Sequence, residues 1–356
     1  MSKRIVRALS SIVDNTVLLA LLVSLIFAGY SLWDSRQVYA AADAARYEEY
    51  KPDKENLEKF EEFRAMNPDV IGWLTVYDTK IDYPVLRSPN SNDDYISKNP
   101  MGEWESAGSL FLDHDNKADF SDFNTIIFGH HMEERKMFGD VDEFLDKNFF
   151  EKHEYANLYY SKTGLSPNLN STGLKEEFTH FDGQNYGIQF FAMIQADGYD
   201  QSIYRVPSTT ELARQETLNT IAKDAIIVRN LNTKEIRQLG KAGASEPVKT
   251  GNVDASFFGV STNDRIVLLS TCSADITNGR FVLVGKLLDH EVPNPFPEEV
   301  VEGQRLDIFS IIDNFLKFPL WQWILILIVV IILIYLLYKA ERYRLKKKRE
   351  RKEAQK

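Results

Sequence analysis

The chain has 356 residues, 44 % apolar and 26 % charged, with a formal charge of −10 at pH 7 and a single cysteine. That length holds one domain of ample core with appendages, or two small domains. The acidic balance argues against nucleic acid as a partner of the whole surface, one thiol cannot build a zinc site, and no glycine-rich phosphate loop or internal repeat is present, which leaves nucleotide enzymes out.

Residues 1–15 carry Lys3, Arg4 and Arg7 and precede an uncharged apolar stretch, 16–33. A second such stretch, 318–338, is followed by a basic tail, 339–356, with Lys346, Lys347, Lys348 and Arg349 in a row. Each stretch is near the length that crosses a bilayer, and the flanking cations put both ends in the cytoplasm and 34–317 outside. The tail could instead bind nucleic acid, but its place against a span favours a stop-transfer anchor. Small residues at Ala40, Ala41 and Ala42 leave a cleaved signal peptide open. The first apolar core is longer than the usual stretch of roughly 7 to 15 residues, which favours an uncleaved anchor. Setting the termini aside, the outer portion carries about −20, which mildly favours basic partners.

Outside the membrane, 34–55 reads as a stalk, with an alanine- and glutamate-rich helix over 40–50 ended by Pro52. Leu57, Phe60, Phe63 and Met66 recur at threefold spacing, which predicts an amphipathic helix over 56–67. Short strands follow at 71–76, 81–86, 109–112 and 124–128, separated by Asp, Asn, Pro and Gly clusters. Val141, Phe144, Leu145 and Phe149 share one helical face and predict a helix over 140–149. Strands are expected at 155–160 and 186–196, with a polar surface excursion over 162–183 between them. A helix over 209–223 would be capped by Ser208 or Thr209, and 241–252 reads as a loop. The pattern is that of a mainly β, mixed barrel with peripheral helices.

The chemistry gathers in two places. Leu268-Leu269-Ser270-Thr271-Cys272 ends an apolar strand on the only thiol, 273–279 is a loop, and Arg280 opens the run 281–285. A hairpin of those strands places Arg280 near Cys272, where a guanidinium favours thiolate and can hold an oxyanion. An unpaired cysteine is more often a buried small hydrophobe. A histidine at another strand's mouth shifts the balance: Asn124-Thr125-Ile126-Ile127-Phe128 runs into Gly129-His130-His131-Met132. His130 is the candidate, and strand alternation turns His131 to the opposite side. His114, His153, His180 and His290 have no such setting and read as solvated or packed. Asp275 either orients Arg280 or the imidazole, or is a plain loop aspartate. Asn124 either hydrogen-bonds near the site or merely starts its strand, and Thr271 offers a hydroxyl or backbone N–H beside an oxyanion. Asp93 and Asp94 read as solvated loop charges rather than an ion site.

With these residues in view, the chain resembles the sortases, membrane-anchored cysteine transpeptidases of Gram-positive bacteria, over roughly 56–288. Leu269-Ser270-Thr271-Cys272, Arg280-Phe281-Val282 and the 124–132 stretch carry the resemblance. Met137-Phe138-Gly139, Phe149-Phe150-Glu151-Lys152-His153, Ser109-Leu110-Phe111-Leu112-Asp113 and Ile71-Gly72-Trp73-Leu74 are of the class B kind. The second span with its basic tail is more typical of pilin-polymerising class C enzymes, the 162–183 excursion is long, and no aromatic Asp-Pro-Phe-like lid occurs near the amino terminus.

The resemblance implies a sortase-type barrel over 56–290 with an N-terminal helix, a linker over 291–317, and two flanking transmembrane helices. It implies Cys272 as nucleophile, His130 as acid and base, and Arg280 as substrate and oxyanion ligand, without cofactor or metal. The partners implied are a secreted protein or pilin bearing a sorting signal, usually cut between threonine and a small residue, and an amine acceptor, either a wall peptide or a pilin lysine. A catalytically silent membrane scaffold and a plain cysteine protease are the rival classes.

Overall fold

The computed structural model describes residues 3–52, 57–161, 183–206, 208–243, 247–272 and 279–296, with further helical positions at 335, 338, 339 and 341–344. The chain divides into two compact units, Met1–Trp33 with Glu299–Lys356, and Asp34–Glu298.

Helix α1, Lys3–Ala41, supplies the first unit's described backbone up to Trp33. Its stretch Asn15–Ala41 is long and apolar enough to cross a membrane, and it is the one such helix among the described residues. Leu18, Leu21 and Phe27 are all exposed along it. The second expected span apart from Tyr335 and Tyr338, the linker beyond 296 and most of the basic tail lie outside the described residues. The stalk helix expected over 40–50 does not form. α1 ends at Ala41, and two 3-10 turns, Ala44–Arg46 and Glu48–Tyr50, follow. Asp43 explains the break, because its carboxylate accepts from the Ala45 N–H and offers the backbone a turn in place of a helix.

The second unit is built on strands β1 (Val70–Val76), β2 (Asp82–Leu86), β3 (Leu110–Leu112), β4 (Asn124–Gly129), β5 (Tyr155–Ser161), β6 (Gly183–Asp197), β7 (Ala225–Arg229), β8 (Ile236–Gln238), β9 (Gly240–Lys241), β10 (Val248–Lys249), β11 (Ile266–Cys272) and β12 (Gly279–Leu288). Helices α2 (Leu57–Met66), α3 (Lys147–Lys152), α4 (Gln201–Tyr204) and α5 (Glu211–Asp224) lie between them. The sheet order is β12-β11-β4-β3-β2-β1-β5-β6-β7-β8, and β12 also pairs with β6. That last pairing closes eight strands into a barrel and leaves β7 and β8 as an extension. β2–β3 and β4–β11 are parallel, and the other pairs are antiparallel. The fifteen residues of β6 are long enough to pair β12 along one edge and β5 and then β7 along the other.

Strand alternation sorts the core into layers. Leu74, Ile127, Leu158, Ile188, Val267, Leu269 and Leu283 fill the barrel. Leu268, Val282 and Val284, out of phase with them, pack outside against Leu218, Ile221 and Ala222 of α5. On another flank, Phe60 and Phe63 of α2 cover Trp73, Leu86 and Tyr159. The threefold apolar spacing before the first strand is this contact.

Three further expectations change. The helix expected over 140–149 is a 3-10 turn, Val141–Leu145, and then α3, because Asp146 is extended and caps α3 by accepting from the Asn148 and Phe149 N–H groups. Thr210, rather than Ser208 or Thr209, caps α5 through the Ala213 N–H. The loop expected over 241–252 contains part of a small hairpin, β9 with β10. The 162–183 excursion, apart from Gly183, lies outside the described residues.

Candidate active site

Register brings three distant chain segments to one edge of the barrel. β11 lies between β4 and β12. Thr271 is opposite Gly129 in the parallel pair, and Cys272 is opposite Arg280 in the antiparallel one. His130 follows Gly129 directly. Neighbouring strands lie about 4.8 Å apart, so the backbones carrying the imidazole, thiol and guanidinium are adjacent.

Gly129 is required where β4 leaves the sheet. A Cβ there would stand 2.4 Å from Leu110 Cδ2 and 2.7 Å from Phe138 Cδ2. The chain beyond is pinned by the Phe138 N–H, which donates to the His130 carbonyl at 2.9 Å. His130 is half-buried, and its Nε2 is 2.8 Å from the Ile96 carbonyl oxygen. A carbonyl only accepts, so Nε2 donates and the neutral ring keeps its lone pair at Nδ1. Ile96 itself ends a 3-10 turn, Asp94–Ile96. The preceding Tyr95 is anchored by its phenol, which donates to Asp69 at 2.7 Å. Burial pushes that phenol above its ordinary pKa and keeps it a donor.

Arg280 is half-buried, with one guanidinium nitrogen donating to the Gly279 carbonyl at 3.2 Å. Among the described residues no carboxylate pairs with it. Beside the trio, the Tyr204 hydroxyl meets the Ser270 hydroxyl at 3.0 Å, and the Tyr204 ring stacks on Phe128 at 6.1 Å between centroids. An aromatic wall therefore flanks the strand that leads to Cys272.

The accessory candidates separate. Thr271 is buried, and its hydroxyl has no hydrogen-bond partner among the described residues. Asn124 sits at the far end of β4, about 17 Å along the strand from Gly129, and its amide donates to the Arg205 carbonyl at 2.8 Å. It is not brought to the trio. Asp275 lies outside the described residues.

His131 donates from Nε2 to Asp142 at 3.0 Å, tying the segment after β4 to the 141–145 turn. His153 is buried and stacked on Phe149 at 3.6 Å. His114 has more company than its sequence setting suggested: ligand atoms of Asp113, His114 and Asp115 lie within 4.8 Å of one another and could hold a cation. Asp113, however, already accepts from the Asn92 amide and the Asp115 N–H. Asp94 pairs with Lys98 at 2.9 Å and accepts from Ser88 at 2.6 Å.

Ile96, Tyr204 and Ser270 were not singled out by the sequence as site residues. A backbone carbonyl carries no residue-type signal, and Tyr204 lies in a four-residue helix too short for periodicity.

No family model matches the chain. Over 233 residues it is 31 % identical to sortase B of Listeria monocytogenes, covering 65 % of this chain and 74 % of that one. Over 232 residues it is 25 % identical to sortase B of Staphylococcus aureus, covering 65 % and 75 %. An X-ray structure of a mutant form of Clostridium perfringens sortase B matches with a TM-score of 0.50 at 23 % identity, over 72 % of this chain and 98 % of that one, a likeness of fold.

Proposed function

The chain belongs to the sortase family, is class B-like and is a cysteine transpeptidase, and from that premise we propose that it fixes secreted proteins to the cell wall through a thioester on Cys272. In this reading the Cys272 thiolate attacks the carbonyl carbon of a peptide bond in the sorting signal. Arg280 and neighbouring backbone N–H groups hold the oxyanion. His130 protonates the departing amine as the C–N bond breaks, which leaves the acyl group on sulfur. An incoming amine then attacks the thioester, His130 takes its proton, and a new amide and the Cys272 thiolate result. Helix α1 anchors the enzyme in the membrane with its catalytic unit outside.

The observation that supports this reading is the pairing of Gly129 with Thr271 and of Cys272 with Arg280. With His130, Cys272 and Arg280 near adjacent strand ends, the reading has the base, nucleophile and cation that acyl transfer requires.

The test is mass spectrometry of the full-length protein in detergent after incubation with sorting-signal peptides. A peptide acyl adduct on Cys272, released by hydroxylamine and absent from Cys272→Ala, is expected. Product formation by Cys272→Ala would overturn the assignment. The apolar run and basic tail at the carboxyl end favour a second acceptor, the lysine of a pilin subunit. Ladders formed from subunits alone would replace wall attachment by polymerisation.

A further inference from the structure

We infer that Gly108 is a positioning residue for His130, holding the Ile96 carbonyl as a fixed acceptor so that Nε2 retains its proton while Nδ1 exchanges protons with substrate. The inference rests on His130 being the acid and base of the reaction proposed above.

A base that must pick up and deliver a proton needs its ring held and its tautomer set by a hydrogen bond at the other nitrogen. Among the described residues the ring's partner is the Ile96 carbonyl, not a carboxylate. A neutral dipole orients the ring without adding a formal charge. That carbonyl lies close against the backbone at Gly108. A Cβ on Gly108 would lie 2.5 Å from the Ile96 oxygen, 2.8 Å from the Tyr95 oxygen and 3.0 Å from the Ile96 carbonyl carbon. The φ of Gly108 is +62°, a conformation that glycine adopts without strain.

The crossing is fastened on each side. The Gly108 N–H donates to the Glu105 carbonyl at 3.0 Å, and the Ser109 N–H donates to the Tyr95 carbonyl at 3.0 Å. The Ser109 hydroxyl donates to the Lys98 carbonyl at 2.7 Å. The contact is made of backbone atoms on both sides, so a side chain at 108 has no flexible neighbour to displace. It must move the carbonyl that His130 leans on.

The experiment is nitrogen NMR of the full-length protein in detergent micelles with labelled histidine, the His130 resonances being identified by their loss in His130→Gln. At a pH where the ring is neutral, the Nε2–H tautomer should dominate. A dominant Nδ1–H form, or an even mixture, overturns the inference whatever the variants do. Gly108→Ala is expected to mix the tautomers and lower kcat for thioester formation about 10- to 100-fold, with the KM for signal peptide within about twofold. A lower kcat with the tautomer unchanged would show a merely structural role and also overturns it. If Gly108→Ala does not fold by circular dichroism, the parent's tautomer decides. Unimpaired thioester formation by His130→Gln would defeat the acid and base assignment itself, an outcome distinct from the wrong tautomer in a competent parent.

Discussion

The Tyr204 and Ser270 hydroxyls share a 3.0 Å hydrogen bond between α4 and the strand that ends at Cys272. Ser270 is 1 % exposed, so water does not replace the phenol. Tyr204→Phe is expected to cost about 1–3 kcal/mol, measured as a lower denaturation midpoint. Adding Ser270→Ala should recover much of that loss, because the polar group that lost its partner is then gone. Full additivity of the two single losses would show that the pair is not coupled.

Gly129→Ala forces a methyl into Leu110 and Phe138. Phe138 is fully buried and has little room to retreat. An overpacking cost of about 1–3 kcal/mol should appear in thermal unfolding, together with a fall in thioester yield as His130 is displaced. A variant with unaltered melting would show that the β4 exit is looser than described.

Arg280→Lys keeps the charge and removes the planar fork of donors. If the guanidinium holds the oxyanion through directed hydrogen bonds, thioester formation should slow by about 100-fold in single-turnover kinetics. Activity close to the parent would reduce the role of Arg280 to its charge.

Glu61 and Arg64 form an ion pair at 2.9 Å within α2, and both side chains are almost wholly buried. Arg64 also reaches the Val70 carbonyl and the Ser161 hydroxyl, joining the helix to β1 and β5. Glu61→Gln removes the countercharge from a buried guanidinium and should cost about 3 kcal/mol in a denaturant titration. A change within a few tenths would mean that water reaches the pair.

Acid should weaken the fold partly through Glu154. Burial alone would raise its pKa, but the Lys234 ammonium and the Gln189 amide hold the carboxyl below its ordinary value. The unfolded chain then binds the proton more readily than the folded one, so this stabilisation is fully present above the ordinary glutamate pKa of about 4.3. It disappears as pH falls through the lower folded value. Glu154→Gln should therefore melt with a shallower pH dependence below about pH 5. An unchanged slope would assign acid sensitivity to other carboxylates.

Much of the barrel was legible because its strands alternate with turn residues, and the thiol and imidazole each stand at the end of an apolar run. β7 carries no such signal, since Ala225–Arg229 follows α5 without a break. The apolar spacing over 140–149 is real, as Val141 and Phe144 are buried, but the capping preference of Asp146 outweighs it and divides the segment. Cys272 and Arg280 could be paired from the hairpin alone. Ile96 carries no sequence link to His130, since their meeting depends on the path of the 92–109 segment between β2 and β3.

The parallel partnership of β4 with β11 has a consequence for when the enzyme becomes competent. β11, the strand that ends at Cys272, can dock on β4 only after most of this unit has been synthesised, and the ring closes when the last strand, β12, reaches β6. On the proposed roles, competence therefore waits on late, long-range pairings, which are slow to form, and a chain stalled before β12 would carry Cys272 without Arg280 across from it.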